Sequence, residues 1–269
     1  MFKIPELTQL IKIVCRCAQQ ELLTRFQGHV DRIASDAKSD QSIITEADLA
    51  MQGALQDHFK QHWPGIPFLG EEMSPQQQEA ILADSKNGVW VVDPIDGTSN
   101  FSLGIPHYAV SVALIQNGII QLAVVYDPSR DECFSAQRDQ GACLNSKSLT
   151  LADVKNVTEI KTALVDFKRL KPQLVNKIAI NPPYQSQRSF GSVALDWCWM
   201  AAARGDVNVH GKQNLWDYCA GALILSEAGG LNSTLEGEPV FNGTLASRSA
   251  VLAINPTLFQ QWYRYLTTP

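Results

Sequence analysis

Residues 90–101 read Trp-Val-Val-Asp-Pro-Ile-Asp-Gly-Thr-Ser-Asn-Phe, and this run constrains the chain more than any other. Trp90, Val91 and Val92 are apolar and largely β-branched, which predicts a buried strand. Pro94 is expected to end it, because proline has no N–H for a ladder. Asp93 then stands where strand gives way to loop, with Asp96 three residues on. Gly97 lets backbone approach a ligand closely. Thr98, Ser99 and Asn100 can open a helix whose N–H groups point outward. Two carboxylates beside such a backbone suit a hard cation that in turn holds a phosphate. A plain turn would also use Asp-Pro and Asp-Gly, so the run alone leaves both readings open. Two rival loops do not fit. The Asp-x-Asp-Gly-Thr loop that forms an aspartyl-phosphate has a different spacing, since Pro94 and Ile95 part the two acids here. A Walker A loop needs a Gly-Lys-Ser/Thr that the chain lacks.

With 269 residues, 45% of them hydrophobic, the chain can bury a large core. A formal charge of −5 argues against broad electrostatic binding to nucleic acid or acidic lipid. The six cysteines form no Cys-x-x-Cys pair and have no companion His cluster, so they read as buried thiols in a reducing compartment rather than zinc ligands. The N-terminal residues lack a clean apolar core of signal-peptide type, and no apolar stretch reaches bilayer length. The expectation is a cytoplasmic protein with no membrane association.

Leu7, Leu10, Ile11, Val14, Ala18 and Leu22 recur at helical spacing and predict an amphipathic first helix. Thr45 can cap a second helix through Asp48, Met51, Leu55 and Phe59. Phe68 and Leu69 read as a short strand ending at Gly70, followed by a polar helix from about Ser74 to Ser85. Tyr108–Ile115 and Ile119–Tyr126, joined through Asn117-Gly118, predict a hairpin, and Glu132–Ala136 a third antiparallel strand. Beyond residue 150 the pattern alternates: a strand at Ile160–Val165, a helix at Ser192–Ala203, a helix at Tyr218–Glu227 stopped by Gly229-Gly230, and a strand at Val251–Ile254. This suggests an α+β half, 1–150, closely fused to an α/β half, 151–269, as one functional unit.

Acids recur at loop or helix-start positions: Asp48, Glu71, Asp93, Asp96 and Asp217. Each has an ordinary reading alone. Asp48 serves as a first-turn acid, Glu71 as a loop residue, and Asp217 as a helix N-cap. Together, if they converge, neighbours about 4 Å apart repel by roughly 4 kcal/mol at an effective dielectric near 20, and the set requires cations or protons. Magnesium suits such a set, because it takes oxygen ligands and shares them with substrate phosphate.

The chain resembles the inositol monophosphatase family of magnesium-dependent, lithium-sensitive phosphatases over nearly its full length. The residues that carry the resemblance are Gly70-Glu71-Glu72, the 90–101 run, and Trp216-Asp217-Tyr218-Cys219-Ala220-Gly221. Lys38, the 43–48 segment and Ser226-Glu227-Ala228-Gly229-Gly230 also match. The resemblance implies a layered α-β-α-β-α sandwich, usually a homodimer, and hydrolysis of a small phosphate monoester such as inositol 1-phosphate or a related polyol or sugar phosphate. It implies two or three Mg2+ per site. Glu71, Asp93 and the Ile95 carbonyl would hold the first, Asp93, Asp96 and Asp217 the second, and Asp48 with Glu71 a third. Gly97 and Thr98 N–H groups would hold the phosphate, and Thr98 would orient or deprotonate water with Glu71 or Asp48. Gly191, Ser192 and Val193 would contact the alcohol.

Two positions depart from the family pattern. His210, six residues before Trp216, stands where animal relatives carry a glutamate that contacts inositol hydroxyls, so the resemblance implies that His210 and Asp217 bind substrate, and Ser42 stands where many relatives have an aspartate. Related chemistries are a 3'(2'),5'-bisphosphate nucleotidase, a fructose-1,6-bisphosphatase and a histidinol phosphatase. An alternative of another class is a protein-binding regulator with a transcription-machinery partner, as some bacterial relatives are.

Overall fold

The two faces of one strand organise the molecule. In the computed structural model, which describes residues 4–26, 35–37, 43–83 and 88–268 (the backbone alone for 35–37 and 43–45), β4 spans Val89–Asp96 and is buried throughout. Trp90 and Val92 point to one core, and Val89 and Val91 to the other. This is the period-two alternation of a strand covered on both sides. Strand order in the large sheet is β3 (Phe68–Gly70), β4, β5 (Ala109–Gln116), β6 (Ile119–Asp127), β7 (Glu132–Gln137), β8 (Ala142–Leu144) and β9 (Lys147–Leu149). Only the β3–β4 pair is parallel among these. Before them, β1 (Ser35–Ala37) and β2 (Ile43–Thr45) form a separate antiparallel pair.

The expected hairpin forms between β5 and β6. Asn117 and Gly118 both adopt positive φ, 54° and 70°, as a turn matched to strand twist requires. Pro94 does not end β4. Asp93 pairs with Ser111 and Asp96 with Ala109, so three steps on β4 oppose two on β5. The missing proline N–H is absorbed in a bulge, and pairing resumes beyond it.

A second, mixed sheet runs in the order β11 (Ser186–Arg188), β10 (Thr162–Asp166), β12 (Val207–Gln213), β14 (Arg248–Ala253), β13 (Leu231–Ser233). Helices α1 (Leu7–Ala18) and α2 (Glu46–His62) cover the outer face of the large sheet. The short helices α3 (Pro75–Ala83) and α4 (Thr98–Ser102) flank β3 and β4. Helix α5 (Pro172–Ile180) follows β10. Helices α6 (Val193–Ala201) and α7 (Leu215–Ala228) contact strands of both sheets, and α8 (Pro256–Thr267) packs on the second sheet. The result is the α-β-α-β-α sandwich that the family resemblance implies. One hydrophobic core runs from the large sheet through α6 and α7 into the second sheet. The expected cap at Thr45 falls on a residue whose side chain is not described, and the match at Lys38 and the departure at Ser42 lie outside the described residues.

The middle layer positions the site, because α6 and α7 begin close to β4 and β5. Ser111 Oγ on β5 donates to the Trp216 carbonyl at 3.0 Å, which ties the start of α7 to the large sheet. Gly221 permits the α6–α7 contact: a Cβ there would lie 2.4 Å from Trp197 Cβ. Trp197 is fully buried, and its indole N–H donates to Gln213 Oε1 at 3.0 Å, so it has little room to yield. Gly221→Ala is expected to destabilise the protein by about 2 kcal/mol through overpacking. The readout is a lower urea midpoint with an unchanged slope, and a midpoint equal to that of the unchanged chain would show that the helices separate freely.

Candidate active site

The acids come from four separate elements. Glu71 follows β3, where its N–H donates to the Val92 carbonyl at 3.1 Å. Gln78 of α3 donates to the Gly70 and Glu71 carbonyls, at 2.9 and 3.1 Å, and fixes that turn. Asp93 and Asp96 flank the bulge of β4. Asp48 is completely buried in the first turn of α2. Asp217 is not the N-cap of α7. Asn214 is, and Asp217 is its third helical residue, accepting the Asn214 N–H at 2.8 Å in a capping box. The helix therefore begins three residues earlier than its apolar run suggests.

These acids act on one another. Burial pushes Asp93 well above the ordinary carboxylate range, and the charges of Glu71, Asp96 and Asp217 push it further, as does a hydrogen bond with Glu71. Asp217 is raised well above it by burial and by Glu71 and Asp96. Asp96 is raised to about 6 by burial, with the Ser192 hydroxyl and the α6 N–H groups pulling the other way. Ser192 Oγ and the Ala194 N–H, at 2.7 Å, both donate to Asp96 Oδ2. Among the described residues, no three His, Cys, Asp or Glu side chains close into a ready cage. The donor set is an open one, acid oxygens with the Ile95 carbonyl nearby, and it fits a hard cation that completes its shell with water and phosphate.

Gly97 joins the acids to α4 with φ at +96°, a conformation that strains other residues. A Cβ there would crowd the His107 and Gly191 carbonyls at 3.1 and 3.2 Å. Thr98 opens α4 as expected. Its hydroxyl lies 2.9 Å from the Ile95 carbonyl and 3.5 Å from Asp48 Oδ1. Asn100 Nδ2 donates to the His107 carbonyl at 2.8 Å and the Phe190 carbonyl at 2.7 Å, locking the 190–193 segment against α4.

A cleft of about 350 Å³ opens beside this junction, and Asn100, Gly191, Ser192, Val193, His210 and Asp217 are in its lining. Asp96 reaches it through Ser192, whereas Glu71, Asp93, Asp48 and Thr98 are not part of its wall. A larger cavity, about 670 Å³, lies between α5 and the end of α8 with Lys171, Lys177 and Glu236 in its lining. Size does not mark the reactive place here; the concentration of buried acids does. Sequence reasoning missed several residues of the smaller cleft, among them Asp166, Lys168, Arg169, Asp196 and Lys212. Asp166 had a signal, since it closes the apolar run of a strand in an α/β half, where ligands gather.

Comparison with known proteins agrees with this arrangement. The model of the inositol monophosphatase family matches residues 6–266. Putative Nus factor SuhB of Neisseria meningitidis serogroup B is 30% identical over 270 residues, 98% of each chain. Inositol monophosphatase 1 of Solanum lycopersicum is 36% identical over 202 residues, 72% of each chain. The solved structure of extragenic suppressor protein suhB from Bartonella henselae superposes with a TM-score of 0.82 at 25% identity, covering 97% of this chain and 98% of that one.

The segment that Asn100 grips also carries a titrating group. His107 packs against Phe190 and Trp199, and burial, with the Arg130 charge, lowers its pKa to about 4 from 6.5. Between those values the unfolded chain holds a proton that the folded one refuses, so this residue costs stability as pH falls. His107→Phe should remove that cost. Relative to the unchanged protein, the variant should gain about 2–3 kcal/mol on going from pH 7 to pH 4.5, read from urea midpoints. A constant difference across that range would contradict the assignment.

Proposed function

The chain belongs to the inositol monophosphatase family, and we propose that its acid cluster and adjoining cleft hydrolyse a small polyol or sugar phosphate, with inositol 1-phosphate as the first candidate. It is a phosphoric monoester hydrolase. The observation that carries the site assignment is the pair Asp93 and Asp217, buried acids whose proton affinity is raised first by burial and then by the charges of Glu71 and Asp96. Such a group is costly unless a cation faces it.

Magnesium, two or three ions per site, would be held by Glu71, Asp93 and the Ile95 carbonyl, by Asp93, Asp96 and Asp217, and by Asp48 with Glu71. When bound it supplies Lewis-acid stabilisation of phosphoryl charge and lowers the pKa of water. The chain's own groups do the rest. The Thr98 hydroxyl, donating to the Ile95 carbonyl, keeps its lone pairs for an attacking water. Glu71 or Asp48 takes the water's proton. Gly97 and Thr98 N–H groups meet the phosphoryl oxygens, where negative charge accumulates. Gly191, Ser192 and Val193 line the place where the alcohol would leave. Acids from 1–150 and from 151–269 serve one cluster, which supports reading the two halves as one functional unit.

Asp96→Asn should leave the fold intact, since asparagine keeps the shape and an acceptor for Ala194. It should cut magnesium-dependent phosphate release by at least roughly a hundredfold, the loss that even an outer-sphere change around a metal produces. Circular dichroism and a phosphate-release assay, with chelator and lithium controls on the unchanged protein, check this. Near-normal turnover would defeat the assignment.

The relatives named Nus factor SuhB favour a second reading, in which a surface of this chain also binds a protein of the transcription machinery. The exposed Leu103 and Ile105, just past α4, support a homodimer as well. The Asp96→Asn variant separates catalysis from adaptor function. As bait it should still retain RNA polymerase components if the adaptor reading holds, and an empty pull-down counts against that reading alone.

A further inference from the structure

Resting on the phosphatase reading above, we infer that Asp166 is the carboxylate that receives a hydroxyl of the leaving alcohol, and that His210 is the residue that positions it. The two are register partners on adjacent parallel strands, at the ends of β10 and within β12. His210 Nε2 lies 2.8 Å from Asp166 Oδ2. His210 Nδ1 lies 3.2 Å from the Lys212 backbone nitrogen, whose N–H donates to it. A ring nitrogen that accepts carries no proton, so the single ring proton sits on Nε2 and points at Asp166. Both nitrogens are engaged within the protein. His210 is in the cleft wall, but it has no N–H left for a ligand.

Asp166 is in the opposite situation. The Lys168 N–H donates to Oδ1 at 2.8 Å and His210 occupies one position on Oδ2. Each carboxylate oxygen accepts from more than one direction, so each keeps a lone pair. The side chain is 30% exposed and belongs to the wall of the cleft, with Gly191, Ser192 and Val193. Burial opposes its charge, whereas the hydrogen bonds from His210 and Lys168 and the Arg169 charge favour it. An ionised acceptor held by two N–H donors in the wall of a cleft can receive a neutral O–H donor. The ligand chemistry is therefore an alcohol with a hydroxyl near the ester oxygen, as in a polyol or sugar.

The test compares two esters in the presence of magnesium: myo-inositol 1-phosphate, rich in hydroxyls, and p-nitrophenyl phosphate, whose leaving group has none. The readout is the ratio of their kcat/KM values, with thermal melts for each variant. Asp166→Ala should lower the ratio about tenfold or more, through the KM of the inositol ester, the size expected for a lost hydrogen bond to a charged group. His210→Ala should lower it in the same direction. His210→Gln, which retains an N–H to aim at Asp166, should restore it to within about threefold. If Asp166→Ala does not fold, the isosteric Asp166→Asn carries the same expectation. An unchanged ratio, with both esters slowed alike, overturns the assignment and leaves the pair a structural role. Hydrolysis of the aryl ester alone by the unchanged protein overturns it while the phosphatase reading stands, and hydrolysis of neither ends both.

Discussion

Repulsion among buried carboxylates is the constraint around which the rest of this fold is arranged. Asp93, Asp96 and Asp217 are all raised by burial, and the charges of Glu71 and Asp96 raise Asp93 and Asp217 further. The chain offsets part of that cost with its own backbone. Asp93 Oδ1 accepts the Ile95 N–H at 3.0 Å, Asp96 accepts the Ala194 N–H, and Asp217 accepts the Asn214 N–H. Each charge-assisted bond contributes roughly 1.5–3 kcal/mol, which is smaller than the desolvation and repulsion it opposes. Under the proposed reading, the remainder is what a bound cation would offset.

Such a cluster survives because it is carried by elements that cannot move apart cheaply. Glu71 and Asp93 come from neighbouring strands in register, Gly70 opposite Val92. Asp217 and Ser192 start the two helices of the middle layer, which are jammed against each other at Trp197 and Gly221. Asn100 then bridges α4 to the segment before α6 by two carbonyls. Relaxing the repulsion by backbone movement would open the apolar core that spans both sheets. Packing energy distributed over many side chains thus holds a few charges in an unfavourable place.

What could be read from sequence follows from range. Short-range chemistry is legible: the Asn117-Gly118 turn, the Gly229 helix stop at φ +95°, and the helix opening at Thr98. Three things are not. Pro94 signals a strand end, but pairing on β5 re-forms past it, because Asp96 can still meet Ala109 once one residue is bulged out. The apolar run places the α7 start too late, since Asn214 caps across Leu215 and Trp216, an apolar pair that reads as continuing loop or strand. Asp166 was passed over because its meaning lies in His210, 44 positions away by their numbering and adjacent only once β10 and β12 pair.

That last pair shows how a position can be understood only with its neighbour. An acid at position 210 would face Asp166 across a distance now spanned by a 2.8 Å contact. Two ionised carboxylates about 4 Å apart repel by roughly 4 kcal/mol at an effective dielectric near 20, so one of them would have to stay protonated. Only one of these two strand positions can hold a working carboxylate, and the other must supply a donor. Here the acid sits at the end of β10 and the imidazole on β12. Substitution at His210 is thus a statement about Asp166, and neither residue has a separable role in shaping the cleft.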